Sequence, residues 1–310
     1  MPRVERRDSG RRPLLLQAVL RRRGKLKGFT LAVASGKGGT GKTTLAVGLA
    51  LAAERSVVLA DCDVEEPDCR IFIKGEVRSS ELVNLPVPVV EEALCTACGE
   101  CSRFCRYHAI VSLGAAAMVF PELCHGCGGC MMVCPSGAVT ETVRRIGTMD
   151  TLTNGCVTLL EGRLDVGVAM AAPLVRAVKK SIPAGSLAIL DAPPGTSCSM
   201  VATVVGADAA VLVTEPTPFG LHDLALAVET TRILGIPFGI AVNRAGPGDA
   251  LVDEFCAREG IPVLARIPDD RRVAEAYSRG EPVVEALPEY AGLFRSVLEN
   301  ALALSPGKAR

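Results

Sequence analysis

Tryptophan is absent from the 310-residue chain, and eight phenylalanines and three tyrosines bring aromatics to only 4%. So few rings exclude the stacking platforms on which single-stranded nucleic acid is held, and nucleic acid is not expected as a partner. Long apolar runs are missing too: none reaches the roughly 18 residues that cross a bilayer. The nearest candidate, Pro13 to Leu20, is short and runs directly into Arg21, Arg22 and Arg23. It lacks the longer apolar stretch and small-residue cleavage site of a secretory signal. Secretion and membrane insertion are excluded on these grounds, no membrane partner is expected, and a cytoplasmic location is. Net charge is also lacking, since 34 Lys and Arg balance 34 Asp and Glu. The balance hides an asymmetry. Residues 1–27 carry ten basic side chains against Glu5 and Asp8, and this arm is expected to be disordered.

What is present is apolar material and cysteine. At 49% hydrophobic and 22% charged residues, the chain can build a large core, and at about 150 residues per domain its length suggests two. Thirteen cysteines in a chain this long point to metal or redox chemistry inside the cell rather than to disulfides.

Phe29–Ala34 is a continuous apolar run, and similar short runs recur at Ser56–Ala60, Leu164–Met170, Leu187–Leu190, Ala209–Val213, Phe238–Val242 and Ile261–Leu264. Runs without polar alternation read as strands buried on both faces, and helix-length stretches separate most of them. Leu45, Leu49 and Ala53 share one face of the first such stretch. The pattern predicts an α/β fold, a mostly parallel doubly wound sheet with helices on both sides. It is interrupted between Leu85-Pro86-Val87-Pro88 and Arg144-Arg145. We therefore expect a main domain of residues 28–84 and 144–310 and a small inserted α+β domain of residues 85–143.

Gly36-Lys37-Gly38-Gly39-Thr40-Gly41-Lys42-Thr43-Thr44 matches G-x-x-x-x-G-K-[ST] between a predicted strand and a predicted helix, the context this phosphate-binding loop requires. Its glycines let successive N–H groups turn toward phosphate oxygens, assisted by the helix N-terminus. Lys42 would neutralise the β- and γ-phosphates, and Thr43 would offer its hydroxyl to Mg²⁺. Acids or an amide follow three of the predicted strands: Asp61 and Asp63 after Ser56–Ala60, Asp191 after Leu187–Leu190, and Asn243 after Phe238–Val242. Ligands of open α/β sheets bind at such strand ends.

Eight of the cysteines form one dense segment: Cys95-x2-Cys98-x2-Cys101-x3-Cys105, repeated farther along as Cys124-x2-Cys127-x2-Cys130-x3-Cys134-Pro135. Zinc sites ordinarily use two well-separated C-x2-C pairs, not two complete triplets. The doubled run resembles the bacterial two-cluster ferredoxins, in which each fourth cysteine ligates the other cluster. That resemblance implies one 4Fe-4S cluster on Cys95, Cys98, Cys101 and Cys134, and a second on Cys124, Cys127, Cys130 and Cys105. Arg106 stands where the second run has proline. Such a cation near a cluster would raise its potential, as would His108 if it points inward. The remaining cysteines, Cys62, Cys69, Cys156, Cys198 and Cys256, are read as small buried hydrophobes.

Lys37 at the head of the loop makes Lys-Gly-Gly-x-Gly-Lys-Thr resemble the deviant Walker A motif of the MinD/ParA ATPases, a class that includes Mrp-type iron–sulfur carriers. The whole is similar to MinD-superfamily P-loop ATPases with an inserted ferredoxin domain. The resemblance implies an ATP-dependent homodimer in which Lys37 reaches the partner's nucleotide. It further implies that Asp63 orients the attacking water, Asp61 and Asp191 support Mg²⁺, and Asn243 reads adenine. It makes the chain a slow, partner-stimulated ATPase whose nucleotide state is coupled to electron transfer through two 4Fe-4S clusters, with a protein redox partner. The alternative is an assembly or carrier protein serving an apo-metalloprotein client. The C-terminal CPxC of Mrp relatives is missing.

Overall fold

The computed structural model describes residues 28–305, so the expected basic arm lies outside the described residues. From the N-terminal side the chain forms β1 (Phe29–Ala34), α1 (Lys42–Leu51), β2 (Val57–Asp61) and the single turn α2 (Cys69–Phe72). A 15-residue strand, β3 (Glu76–Val90), leads into the cysteine segment, which contains α3 (Glu100–Phe104), β4 (Ile110–Leu113), β5 (Ala116–Val119) and α4 (Gly129–Met132). The chain returns on β6 (Val139–Asn154) and turns into β7 (Val157–Leu164). Alternation then resumes with α5 (Ala172–Lys180), β8 (Leu187–Asp191), α6 (Cys198–Val204), β9 (Ala209–Thr214), α7 (Pro218–Ile233) and β10 (Phe238–Ala245). It closes with α8 (Asp249–Glu259), β11 (Val263–Pro268), α9 (Arg271–Ser278), α10 (Val283–Ala286) and α11 (Ala291–Ala303).

Nine strands make one sheet in the order β11-β10-β9-β1-β8-β2-β7-β6-β3. The seven from β11 to β7 are parallel, and β6 and β3 are added antiparallel. The parallel strands β1, β2, β8 and β9 are buried along almost their whole length, as continuous apolar runs require. One core lies on each face. On the first, α1 packs Leu45 and Leu49 against α11, whose Phe294 ring comes so close to Gly48 that a β-carbon there would lie 2.5 Å from it. On the second, Leu174, Val175 and Val178 of α5 meet Met200 and Val204 of α6. Among the described residues no helix is long and apolar enough to cross a membrane.

Two expectations change. Leu164–Met170 is not a strand; it follows β7 as an irregular connection, and the strand is the preceding Val157–Leu164. The reason is Glu161, a buried acid that breaks the apolar run without breaking the ladder. Ala53 lies beyond the end of α1 and does not extend its face.

β3 and β6 pair continuously from Glu76↔Thr153 to Val90↔Val139, passing through positions 85 and 143 with local register shifts only near Val77 and Val83. β3 is the outer strand of the sheet, so Pro86 and Pro88 can leave their missing N–H on the unpaired side. The cysteine segment, residues 91–138, thus sits on the end of a two-stranded ribbon that is a direct extension of the main sheet.

Candidate nucleotide site and cysteine centres

The phosphate loop turns between β1 and α1. Gly41, the residue before α1, has φ of +92°, and a β-carbon there would sit 2.3 Å from Asn243 Nδ2. Only glycine fits both constraints. The loop lines a cleft of about 410 Å³ together with Lys42, Thr43, Thr44, Asp63, Pro194, Asn243, Arg244, Asp269 and Tyr277. Lys42 is buried, which lowers its ammonium pKa against the opposing pull of Asp191 and Asp63.

Asp61 and Asp191 are opposite one another in the β2–β8 ladder, at the C-terminal ends of those strands. Both are fully buried, and burial raises each carboxyl pKa, with mutual repulsion adding to the effect on Asp61. Thr43 Oγ1 donates to Asp191 Oδ2 at 2.6 Å, while Asp191 Oδ1 is buried with no hydrogen-bond partner. Asp61 accepts from the backbone N–H groups of Asp63 (3.1 Å) and Cys69 (2.9 Å). Asp63 faces the cleft with its carboxyl pushed up to about 6, by burial first and Asp191 second.

Lys37 is paired with Glu215 at 3.5 Å, and Glu215 also receives Arg244 at 2.7 Å. Asn243 Nδ2 donates to the Thr40 carbonyl at 2.8 Å, which leaves its Oδ1 facing other partners. Cys69 is missed by the sequence reading. Far from being inert packing, its thiol lies 3.5 Å from Asp191 Oδ2, and with Asp61 and Asp191 it brings three potential ligand atoms within 4.8 Å. Burial between the two carboxylates raises its pKa well above that of an ordinary thiol. Nothing in the sequence marks it, because its neighbours come from β2 and β8. Glu215 has no role that the sequence alone assigns, because its partners Lys37 and Arg244 come from the phosphate loop and β10. Cys62 and Cys256 are buried as expected, but Cys156 and Cys198 are exposed, the first in the turn between β6 and β7 and the second opening α6.

The two cysteine runs share one local geometry. Ala97 and Gly126, each just past the first cysteine of its run, both have left-handed φ (+53° and +66°), as do Gly99 and Gly128 (+76° and +71°) just before α3 and α4. No cysteine is in a disulfide. Cys95, Cys98, Cys101 and Cys134 line one cavity with Ser112, Ala117 and Val139. Cys105, Cys124, Cys127 and Cys130 line another, with Pro86, Tyr107, His125 and Met131. The Ala109 N–H donates to Cys105 Sγ at 3.3 Å and the Gly126 N–H to Cys124 Sγ at 3.4 Å. His108 is exposed and lines neither cavity; the histidine at the second one is His125, stacked on Tyr107 at 3.5 Å between ring centroids. His125 and Tyr107 also border a groove walled by Glu65, Arg176 and Cys198. Burial and Arg176 lower the His125 pKa.

Comparison with known proteins agrees with the nucleotide-binding α/β sheet. The model for the CobQ/CobB/MinD/ParA nucleotide-binding domain matches residues 31–283. An uncharacterized protein of Methanocaldococcus jannaschii is 30% identical over 259 residues, 81% of this chain and 90% of that protein. An iron–sulfur cluster carrier protein of Aquifex aeolicus is 28% identical over 289 residues, covering 86% of this chain and 65% of its own. Among solved structures, MinD of Pyrococcus horikoshii in complex with Mg-ADP is similar in fold, with a TM-score of 0.55 at 21% identity over 91% of this chain and 99% of that one. The chain belongs to the CobQ/CobB/MinD/ParA nucleotide-binding family.

Proposed function

We propose that this protein binds and hydrolyses ATP and uses its nucleotide state to control electron transfer through two 4Fe-4S clusters, passing electrons to a protein partner. The observation that carries the reading is the division of eight free cysteines into two complete fours around two cavities. Those cavities sit on a ribbon continuous with the sheet that presents Asp61 and Asp191 beside the phosphate loop.

At the nucleotide, Lys42 neutralises the β- and γ-phosphates, the loop N–H groups orient them, and Asn243 contributes Oδ1 on the base side. Asp63 holds the attacking water, its raised pKa suiting it to take a proton near neutral pH. Lys37 leaves Glu215 to reach the nucleotide of a second copy, so hydrolysis requires the ATP-dependent homodimer. Thr43, Asp61 and Asp191 would hold Mg²⁺, and the unpartnered Asp191 Oδ1 suits a cation. When bound, the ion supplies charge neutralisation at the phosphates. Most of the catalysis is positioning and electrostatics.

At the cysteines, four thiolates per cavity are the donor set of a cubane cluster, and the N–H donors to Cys105 and Cys124 supply hydrogen bonds of the kind that tune cluster potential. Cys95, Cys98, Cys101 and Cys134 would hold one cluster, and Cys105, Cys124, Cys127 and Cys130 the other. When bound, the clusters supply one-electron redox chemistry.

A second reading is that the protein delivers iron–sulfur clusters to apo-proteins. The relatives named as cluster carriers favour it, one at 28% identity over most of this chain. Delivery needs labile clusters, whereas two full four-thiol sets, in which only Cys98 and Cys127 are exposed, favour retention.

The test is the midpoint potential of the clusters, measured anaerobically with and without Mg-ATP. A shift of 59 mV corresponds to about 1.4 kcal/mol for one electron, and linkage demands the same energy as redox-dependent ATP affinity. A shift of that order supports ATP-controlled electron transfer. No shift, together with cluster loss to an apo-acceptor, replaces it with the delivery reading.

A further inference from the structure

Four carboxylates stand in one row across adjacent strands. The ladders place Asp191 of β8 opposite Asp61 of β2, Asp61 opposite Glu161 of β7, and Glu161 opposite Asp150 of β6. Partners at the same register level point to the same face of a sheet. The row therefore runs from the acids beside the phosphate loop to the returning strand of the ribbon that carries the cysteines. Three of its members, Asp191, Asp61 and Glu161, are fully buried, and buried acids demand compensation.

The compensation for both halves of the row comes from two consecutive residues of α2. Cys69 serves the nucleotide half: its N–H donates to Asp61 and its thiol lies against Asp191. Arg70 serves the ribbon half, with Nη1 at 3.1 Å from Asp150 Oδ2 and 3.7 Å from Glu161 Oε1. Glu161 has one further cation, Arg163, on Oε1, and its Oε2 is buried with no hydrogen-bond partner. A single helical turn in the segment after Asp63 thus grips the acids of the nucleotide site with one residue and the root of the ribbon with the next. Cys69 and Arg70 are adjacent, so a displacement of α2 that follows Asp61 and Asp191 also displaces the backbone carrying the guanidinium shared by Asp150 and Glu161.

We propose that Arg70 is the positioning residue through which the nucleotide site acts on the cysteine-bearing ribbon. The inference rests on the nucleotide-responsive reading above, but not on electron transfer. When α2 follows the nucleotide site, Arg70 tightens or releases Asp150 on β6, and β3 and β6 respond as one paired unit because their ladder is continuous. Arg70 touches neither nucleotide nor cysteine; it acts through Asp150 and Glu161.

Hydrogen exchange on the full-length, cluster-loaded protein tests this, read at residues 76–90 and 139–154 with and without Mg²⁺ and a non-hydrolysable ATP analogue. The wild type should show a nucleotide-dependent change in both strands. Arg70→Ala should lose that change while still binding the analogue, and Arg70→Lys, which keeps the charge, should recover part of it. Asp150→Asn, removing the partner instead, should behave as Arg70→Ala does and decides the matter if the latter fails to fold. Retention of the full response in Asp150→Asn or Arg70→Ala, or no response in the wild type, overturns the proposal. Cluster potentials on the same samples separate the two ideas. A ribbon response without a potential shift sinks the electron-transfer reading and leaves the role of Arg70 standing.

Discussion

Asp63→Asn should make the magnesium-free protein more stable while depriving it of turnover. The Asp63 carboxyl is pushed from 3.8 up to about 6 by burial and by Asp191. A carboxyl whose folded pKa lies above its unfolded one binds more protons when folded, so stability falls as pH rises between the two values and stays low above them. At about 1.4 kcal/mol per pH unit the full penalty is about 3 kcal/mol. Partial contact with water through the cleft reduces it to about 2 kcal/mol. Asparagine carries no charge, so the variant escapes this penalty, and the backbone N–H that Asp63 donates to Asp61 is kept. Urea titrations should place the variant about 2 kcal/mol above the wild type at pH 7.5. At pH 4.5 the gap should shrink to roughly a third of that. Without tryptophan, far-ultraviolet circular dichroism is the suitable probe. Turnover should fall roughly 10²-fold, as befits loss of a group that orients and deprotonates water. Equal or lower stability of Asp63→Asn at pH 7.5, or a gap that widens toward pH 4.5, refutes the reasoning.

Glu215→Gln removes the charge that retains Lys37 at 3.5 Å. Lys37 keeps partial contact with water, so each pair is worth at most about 1 kcal/mol. A symmetric dimer releases two such lysines, so ATP-dependent dimerisation should tighten by up to about 30-fold by analytical ultracentrifugation; a weaker dimer contradicts the role given to Lys37. Cys98→Ser and Cys127→Ser, at exposed cysteines of different cavities, should each lower bound iron by about half, since each removes a ligand from one set of four. Complete loss in either single variant means that the two fours are not independent. Phe294→Ala empties a fully buried site between α11 and α1 and should cost about 3–5 kcal/mol in urea unfolding.

What the sequence made legible was what neighbouring residues determine together. The phosphate loop is one turn of chain, and the cysteine runs are two, so their residue types and spacing carry their chemistry openly. The parallel strands were legible because burial on both faces leaves apolar runs such as those of β1 and β9. β7 was hidden by its own Glu161, a residue whose presence in a buried strand makes sense only with Arg70 and Arg163 in view. β3 and β6 were hidden because each is the other's partner: polar sequences such as Arg78-Ser79-Ser80-Glu81 form a strand when a second strand, reached only after the whole cysteine segment, satisfies their backbone. Pro86 and Pro88, which punctuate the sequence as a boundary, are tolerated within β3 by virtue of its place at the outer edge of the sheet.

The same contrast separates the chemistry from its control. Lys42, Thr43 and the eight clustered cysteines lie in motifs that point to the chemistry proposed for each part. The link between the parts lies in Cys69, Arg70, Asp150 and Glu161, four residues from three elements that no motif unites. Their arrangement has a cost, since three of the four row carboxylates are buried and replacing such charges with well-packed apolar groups is often neutral or stabilising. A sheet that needed only to fold would do as well with leucine at position 161. Retaining an acid there, with an arginine from the segment beside the nucleotide, is what a structure needs if the ribbon is to follow the state of the phosphate site.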